Sequence, residues 1–104
     1  MNVTINNKSY TVPQLGFKDM VHMEDMGFSV LDLFQKQKIF SMATAFVGVV
    51  ANCDREESER LIEQHVLGGG NFENIYESFT KAVDESGFFK KLLGTEEENP
   101  SAKK

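Results

Sequence analysis

The stretch Ile39-Phe40-Ser41-Met42-Ala43-Thr44-Ala45-Phe46-Val47-Gly48-Val49-Val50-Ala51-Asn52 is apolar on nearly every side. A helix without a polar face belongs at the centre of a small domain, where neighbours cover it all round. The run Phe46 to Val50 also suits a strand, and periodicity alone leaves both open; the length of the whole stretch favours a helix. Thr44 and Gly48 interrupt it, and it is far too short to span a bilayer. The rest of the chain then reads as what packs around this helix.

Downstream, Asp54 followed by Glu57 forms the pattern of an N-cap and its capping partner. The helix it opens runs from Arg55 to about Leu67, with Leu61, Ile62, His65 and Val66 inward and Glu56, Glu59, Arg60 and Glu63 outward. Gly68-Gly69-Gly70 ends it, because glycine is the usual residue past a helix C-terminus. Asn71 caps a long helix that carries Phe72, Ile75, Tyr76, Phe79, Val83 and Ser86 along one face, weakened or bent at Gly87 before Phe88-Phe89-Lys90-Lys91-Leu92-Leu93. Thr95 onward has no apolar pattern, so 95–104 is expected to be a disordered polar tail after one globular domain over 1–94.

Upstream, after Gly16, the residues Phe17, Met20, Val21 and Glu24, with Met23 and Met26, give an amphipathic helical run that Gly27 stops. Ser29 is positioned as an N-cap, with Asp32 near the positive end of the next helix dipole. Val30, Leu31, Leu33 and Phe34 form a short apolar helix before Gln35-Lys36-Gln37-Lys38, which reads as a break or as a helix crossing solvent. The first dozen residues have the period of strands. An Asn6-Asn7 turn supplies the positive φ that a two-residue hairpin loop requires. It sets Ile5 opposite Lys8, Val3 opposite Tyr10 and Asn2 opposite Thr11, placing Val3, Ile5, Tyr10 and Val12 on one face. Pro13 cannot continue the ladder. A lone hairpin is marginal in water, so that face must lie on helices. The expected architecture is α+β and mostly α: a hairpin over residues 2–12 packed on a bundle of about five helices over residues 17–93.

A chain of 104 residues buries roughly 60–68% of its unfolded surface, enough for one core. There are 16 acidic and 11 basic side chains, net −5, and no basic stripe of the kind that collects phosphates. Neither nucleic acid nor an anionic membrane is an expected partner. Cys53 is the single cysteine, which excludes an intramolecular disulfide and suits a reducing compartment. The residues after Met1 have no basic and apolar signal pattern, so a cytosolic location is expected.

No enzyme or metal constellation emerges. His22 and His65 lie on different helices with no second ligand at metal spacing, and they read as ordinary histidines. Cys53 lacks an oxyanion-hole pattern and reads as a structural thiol. Gly68-Gly69-Gly70 lacks the Gly-Lys-Ser/Thr ending of a phosphate loop, and Asp54-Arg55-Glu56-Glu57 lacks the spacing of a calcium loop. No catalytic residue, metal or cofactor is therefore expected. Met20, Met23 and Met26 recur every third residue, as core or as an adaptable contact surface. The anomaly is Phe88-Phe89 with Leu92-Leu93: Phe89 and Leu93 share the inner face of the preceding helix, while Phe88 and Leu92 point elsewhere, so that they are either buried completely or leave apolar surface for a partner. The candidate contact residues are Phe88, Phe89, Leu92 and Leu93, then Met20 and Met23.

The opening Ile5-Asn6-Asn7-Lys8-Ser9-Tyr10 resembles the I-N-G-K-E-Y start of the tail assembly chaperones of long-tailed bacteriophages. Further similarities to versions from phages and prophages of Gram-positive hosts are Gly16-Phe17, Met26-Gly27, Asp54-Arg55-Glu56-Glu57-Ser58, and the Gly-rich break followed by Ile75, Phe79 and Ser86-Gly87-Phe88-Phe89. The similarity covers roughly residues 1–93 and departs at Asn7, where Gly is commoner. It implies a non-enzymatic protein that keeps the tape measure protein soluble during tail assembly and self-associates. It further implies a host-cytoplasmic protein absent from the finished virion, and a short form with a longer, frameshifted counterpart. From another class, a small acidic helical adaptor binding a different cytosolic protein also fits the composition.

Overall fold

The computed structural model describes residues 1–93; the expected tail at 95–104 and the domain end at 94 lie outside them. Strands β1 (Asn2–Ile5) and β2 (Lys8–Thr11) pair antiparallel with the register Asn2–Thr11, Val3–Tyr10, Thr4–Ser9 and Ile5–Lys8. Asn6 and Asn7 take φ values of 54° and 67°, the left-handed pair that a two-residue loop demands. Val3, Ile5 and Val12 are buried; β1 lies against α4 (Arg55–Leu67) and α5 (Phe72–Asp84), and β2 against α3 (Ile39–Ala51).

The central helix is α3. Its Met42, Ala43 and the run Ala45 to Val49 are all buried, and Asn52, in the left-handed region at φ 55°, ends it, with Cys53 N–H donating to the Gly48 carbonyl (2.9 Å). The stretch is thus helical over its full length, with no strand at Phe46–Val50. Helix α1 (Phe17–Asp25) closes on α3 through methionine. A Cβ on Gly48 would overlap the Met26 terminus, so glycine there lets α1 seat its thioether directly on the α3 backbone.

The inner face of α1 differs from expectation. Phe17 and Val21 are exposed, while Met23 and Asp19 are buried. A carboxylate is tolerated inside because Asp19 Oδ2 accepts the Gly16 N–H at 2.8 Å, satisfying a free donor of the first turn. Helix α2 (Val30–Gln35) stops at Gln37, whose φ of 52° breaks the chain direction, so the polar stretch is a break and not a solvent-crossing helix. Ser29 sits at its N-cap position without a side-chain cap bond.

Helix α4 begins where Asp54 Oδ1 accepts the Glu57 N–H (2.9 Å). The reciprocal half of the box is missing, because the Glu57 carboxylate is engaged by Arg60. Ser58, Leu61 and His65 face inward; Val66 does not, contrary to the expected face. Ser58 Oγ donates to the Thr44 carbonyl at 2.6 Å, which draws α4 tightly onto α3.

After Asn71, whose Oδ1 accepts the Glu73 N–H, α5 buries Ile75, Phe79 and Ala82. It ends at Asp84, and a separate helix α6 (Gly87–Leu93) follows, giving six helices among the described residues where about five were expected. Ser86 makes the break. Its hydroxyl donates to the Leu15 carbonyl (2.8 Å) and accepts the Phe89 N–H (3.1 Å), so it caps α6 while fastening it to the segment after the hairpin. Among the described residues, no helix is long and apolar enough to cross a membrane.

Candidate functional site

The last described helix carries the contact residues expected from the sequence, and the structure divides them. Phe89 is fully buried and packs with the core, with Leu93 partly buried against the same cluster. Phe88 and Leu92, one turn apart on the opposite side, are 39% and 43% exposed. Phe17 of α1, 66% exposed, meets Phe88 edge-on with ring centroids 5.9 Å apart. Phe17, Phe88 and Leu92 thus supply apolar surface from the start of α1 and the outer side of α6, and Val21 follows Phe17 one turn along α1.

Two of the expected contact residues are corrected. Phe89 and Met23 (0% and 2% exposed) are core side chains that offer a partner nothing. Each sits on the face its helix turns toward α3 or α5, because Ser86 and Gly27 fix where those helices start and stop. Met20 is half-buried against the core and contributes at most an edge.

A second apolar surface went unnoticed in the sequence. Phe40 and Thr44 of α3, Ile62, Val66 and Leu67 of α4, and Phe72 of α5 line an open groove of about 440 Å³, together with Glu59 and Glu63. Phe40 and Phe72 stack at 4.9 Å between centroids, yet Phe40 remains 68% exposed and Leu67 79%. Phe40 was hidden in the sequence by the uniformly apolar character of α3. The available signal was on α4: Ile62, Val66 and Leu67 widen its apolar stripe just before the glycines, beyond what Leu61 and His65 need for core contact.

Several polar side chains outside these surfaces are engaged in structure. His65 is buried; its Nδ1 accepts the Asn6 N–H (2.9 Å), so the proton is on Nε2, which faces the Asn71 carbonyl at 3.1 Å. This ring ties the hairpin turn to the α4–α5 connection. His22 Nε2 lies 3.2 Å from the Cys53 carbonyl. Burial pushes the Cys53 thiol up, and the Glu57 and Asp54 carboxylates push it further, against a smaller opposing pull from Arg60. A thiol so placed is a weak nucleophile at neutral pH. On the surface, Asp32 is held below the usual carboxylate range by its hydrogen bond to Lys36, with Lys38 adding to it. No cluster of three or more His, Cys, Asp or Glu able to hold a metal occurs among the described residues.

Comparison with known proteins gives no matching family model, no matching curated protein and no matching solved structure.

Proposed function

We infer that the protein is a non-enzymatic tail assembly chaperone, which holds apolar helical segments of a phage tape measure protein in solution until the tail tube forms around them. The observation that carries the reading is the Phe17–Phe88–Leu92 surface: large apolar side chains left in solvent although the core beneath them is closed by Phe89. Isolated exposed apolar residues are ordinary, but a contiguous cluster of aromatic and aliphatic groups on helices suits a helix-in-groove partner. The hairpin and helix motifs that resemble the chaperone family supply the identity of that partner, and the net charge of −5 would keep the loaded complex dispersed. On this reading the protein acts in the host cytoplasm and leaves before the virion is complete. It also associates with itself and with a longer, frameshifted form.

The test is co-expression with the tape measure protein that this reading expects to be encoded beside it, followed by affinity capture and a solubility assay. Wild type is expected to solubilise and co-purify the large protein. The double variant Phe88→Ser/Leu92→Ser is expected to lose it while keeping the helical circular dichroism signal. A tape measure protein that stays insoluble with both the short and the extended form refutes the reading. Loss of helicity in the double variant would instead show these two side chains to be core.

A further inference from the structure

The groove formed by α3, α4 and α5 is distinct from the Phe17–Phe88–Leu92 surface, and its chemistry specifies an occupant. Its floor and walls are apolar: Phe40, Phe72, Ile62, Val66 and Leu67. Among the described residues its only charged lining groups are Glu59 and Glu63, one turn apart on α4. Glu59 is shared with Arg55 at 3.3 Å, whereas Glu63 makes no ion pair among the described residues. From Glu59 to Leu67 the α4 wall rises roughly 12 Å, a little over two helical turns. An apolar trough of that length takes side chains spaced i, i+3 or i+4 and i+7 on a second helix. Two carboxylates a turn apart along its edge call for cations at the same spacing.

Two other occupants fit poorly. The segment Gly94 to Lys104 contains no large apolar side chain to fill the trough, whatever its mixed Glu and Lys charges do at the edge. A second copy of the chain, docked by two-fold symmetry through this face, would bring four carboxylates and no lining cation into one interface, net −5 against net −5.

We propose that the α3–α4–α5 groove is a docking site for a basic amphipathic helix of a protein partner. The partner's apolar face fills the space between Phe40, Leu67 and Phe72, and Lys or Arg residues along one flank pair with Glu59 and Glu63. This site stands whether or not the tape measure reading is correct, because its occupant is specified by charge and spacing alone.

The experiment uses the full chain and fluorescein-labelled synthetic helices of about 18 residues, long enough to hold helical structure. One peptide carries Leu at the i, i+3, i+4, i+7 positions and Lys on the flanks; its twin replaces every Lys with Glu. Fluorescence anisotropy should show saturable binding of the basic peptide that weakens with salt, and at least tenfold weaker binding of the acidic twin. Phe40→Ser and Leu67→Ser should each weaken the basic peptide on the order of tenfold with unchanged circular dichroism, since both side chains stand mostly in solvent. Glu63→Lys should lose the basic peptide, while Glu24→Lys on α1, with the same change in net charge, should retain it. Equal loss in both charge variants would reduce the effect to non-specific attraction and overturn the proposal. Binding indifferent to Phe40→Ser and Leu67→Ser would do the same. So would a dimer, seen by sedimentation, that these two substitutions dissociate, because the groove would then belong to a second copy.

Discussion

Replacing Phe89 and Phe88 separately by alanine divides two neighbours in sequence into opposite physical classes. Fully burying a phenylalanine side chain is worth about 1.5–3 kcal/mol of transfer free energy, most of which deletion of the ring removes. Phe89 is fully enclosed, and a cavity remains, which brings the expected cost to about 3–5 kcal/mol. Phe88 is 39% exposed, so solvent enters the vacated space and no cavity forms. What it loses is partial burial and its edge contacts with Phe17 and Phe89, about 1–1.5 kcal/mol in all. The gap between the variants is therefore about 2–3 kcal/mol, which for a domain of this size separates their melting temperatures by roughly 10–20 °C. Urea and thermal unfolding followed by helical circular dichroism measure it directly. If Phe89→Ala unfolds within about 1 kcal/mol of Phe88→Ala, α6 is not docked as described, and the division between core and contact residues fails with it.

Two further expectations concern glycine and the thiol. Gly87→Ala, at the start of α6 with open space around its Cα, should stabilise the fold by about 0.5 kcal/mol through helix propensity. Gly70→Ala should cost about 1–3 kcal/mol, because its Cβ would lie 2.6 Å from both Nε2 and the carbonyl oxygen of His65, a ring fixed at both nitrogens; chemical denaturation ranks the pair, and equal effects would be inconsistent with the packing. Cys53 should react with iodoacetamide more slowly than an unhindered thiol at the same pH, and Glu57→Gln should speed it. The fold's preference for the neutral thiol is fully present below the unfolded-state value and is lost as pH rises through the raised folded-state value. Stability should thus fall on the alkaline side and fall less in Cys53→Ala; parallel alkaline limbs for the two proteins would refute the assignment.

Local signals in the sequence were sufficient wherever local chemistry decides the structure. The hairpin register follows from period two and from Asn6-Asn7, and α4 lies between the Asp54 cap and Gly68 because both stops are written beside it. The faces of α1 were illegible, and the break before α6 was legible only as a weakening or bend at Gly87, for a common reason. Asp19 is inside because a backbone donor meets it, and Ser86 stops α5 by bonding Leu15, a residue 71 positions away. Neither partner is implied by periodicity. At the surface, the split between Phe88/Leu92 and Phe89/Leu93 follows from helical geometry once α6 is docked. The groove at Phe40 and Leu67 depends on how far α3 overhangs α5, which only the packed helices reveal.

The double tie of His65 to Asn6 and Asn71 has a consequence for biosynthesis. The hairpin leaves the ribosome before the helices that cover it: the ring that receives its turn is made 59 residues later, and the hydroxyl that fastens Leu15 later still. Until then Val3 and Ile5 have no helix to cover them, and a two-stranded ribbon does not hold by itself. An element translated before its helices is thus among the last to lock. A nascent chain stalled before His65 would present the strand pair unsheathed, with neither the ring that receives Asn6 nor α5 yet made.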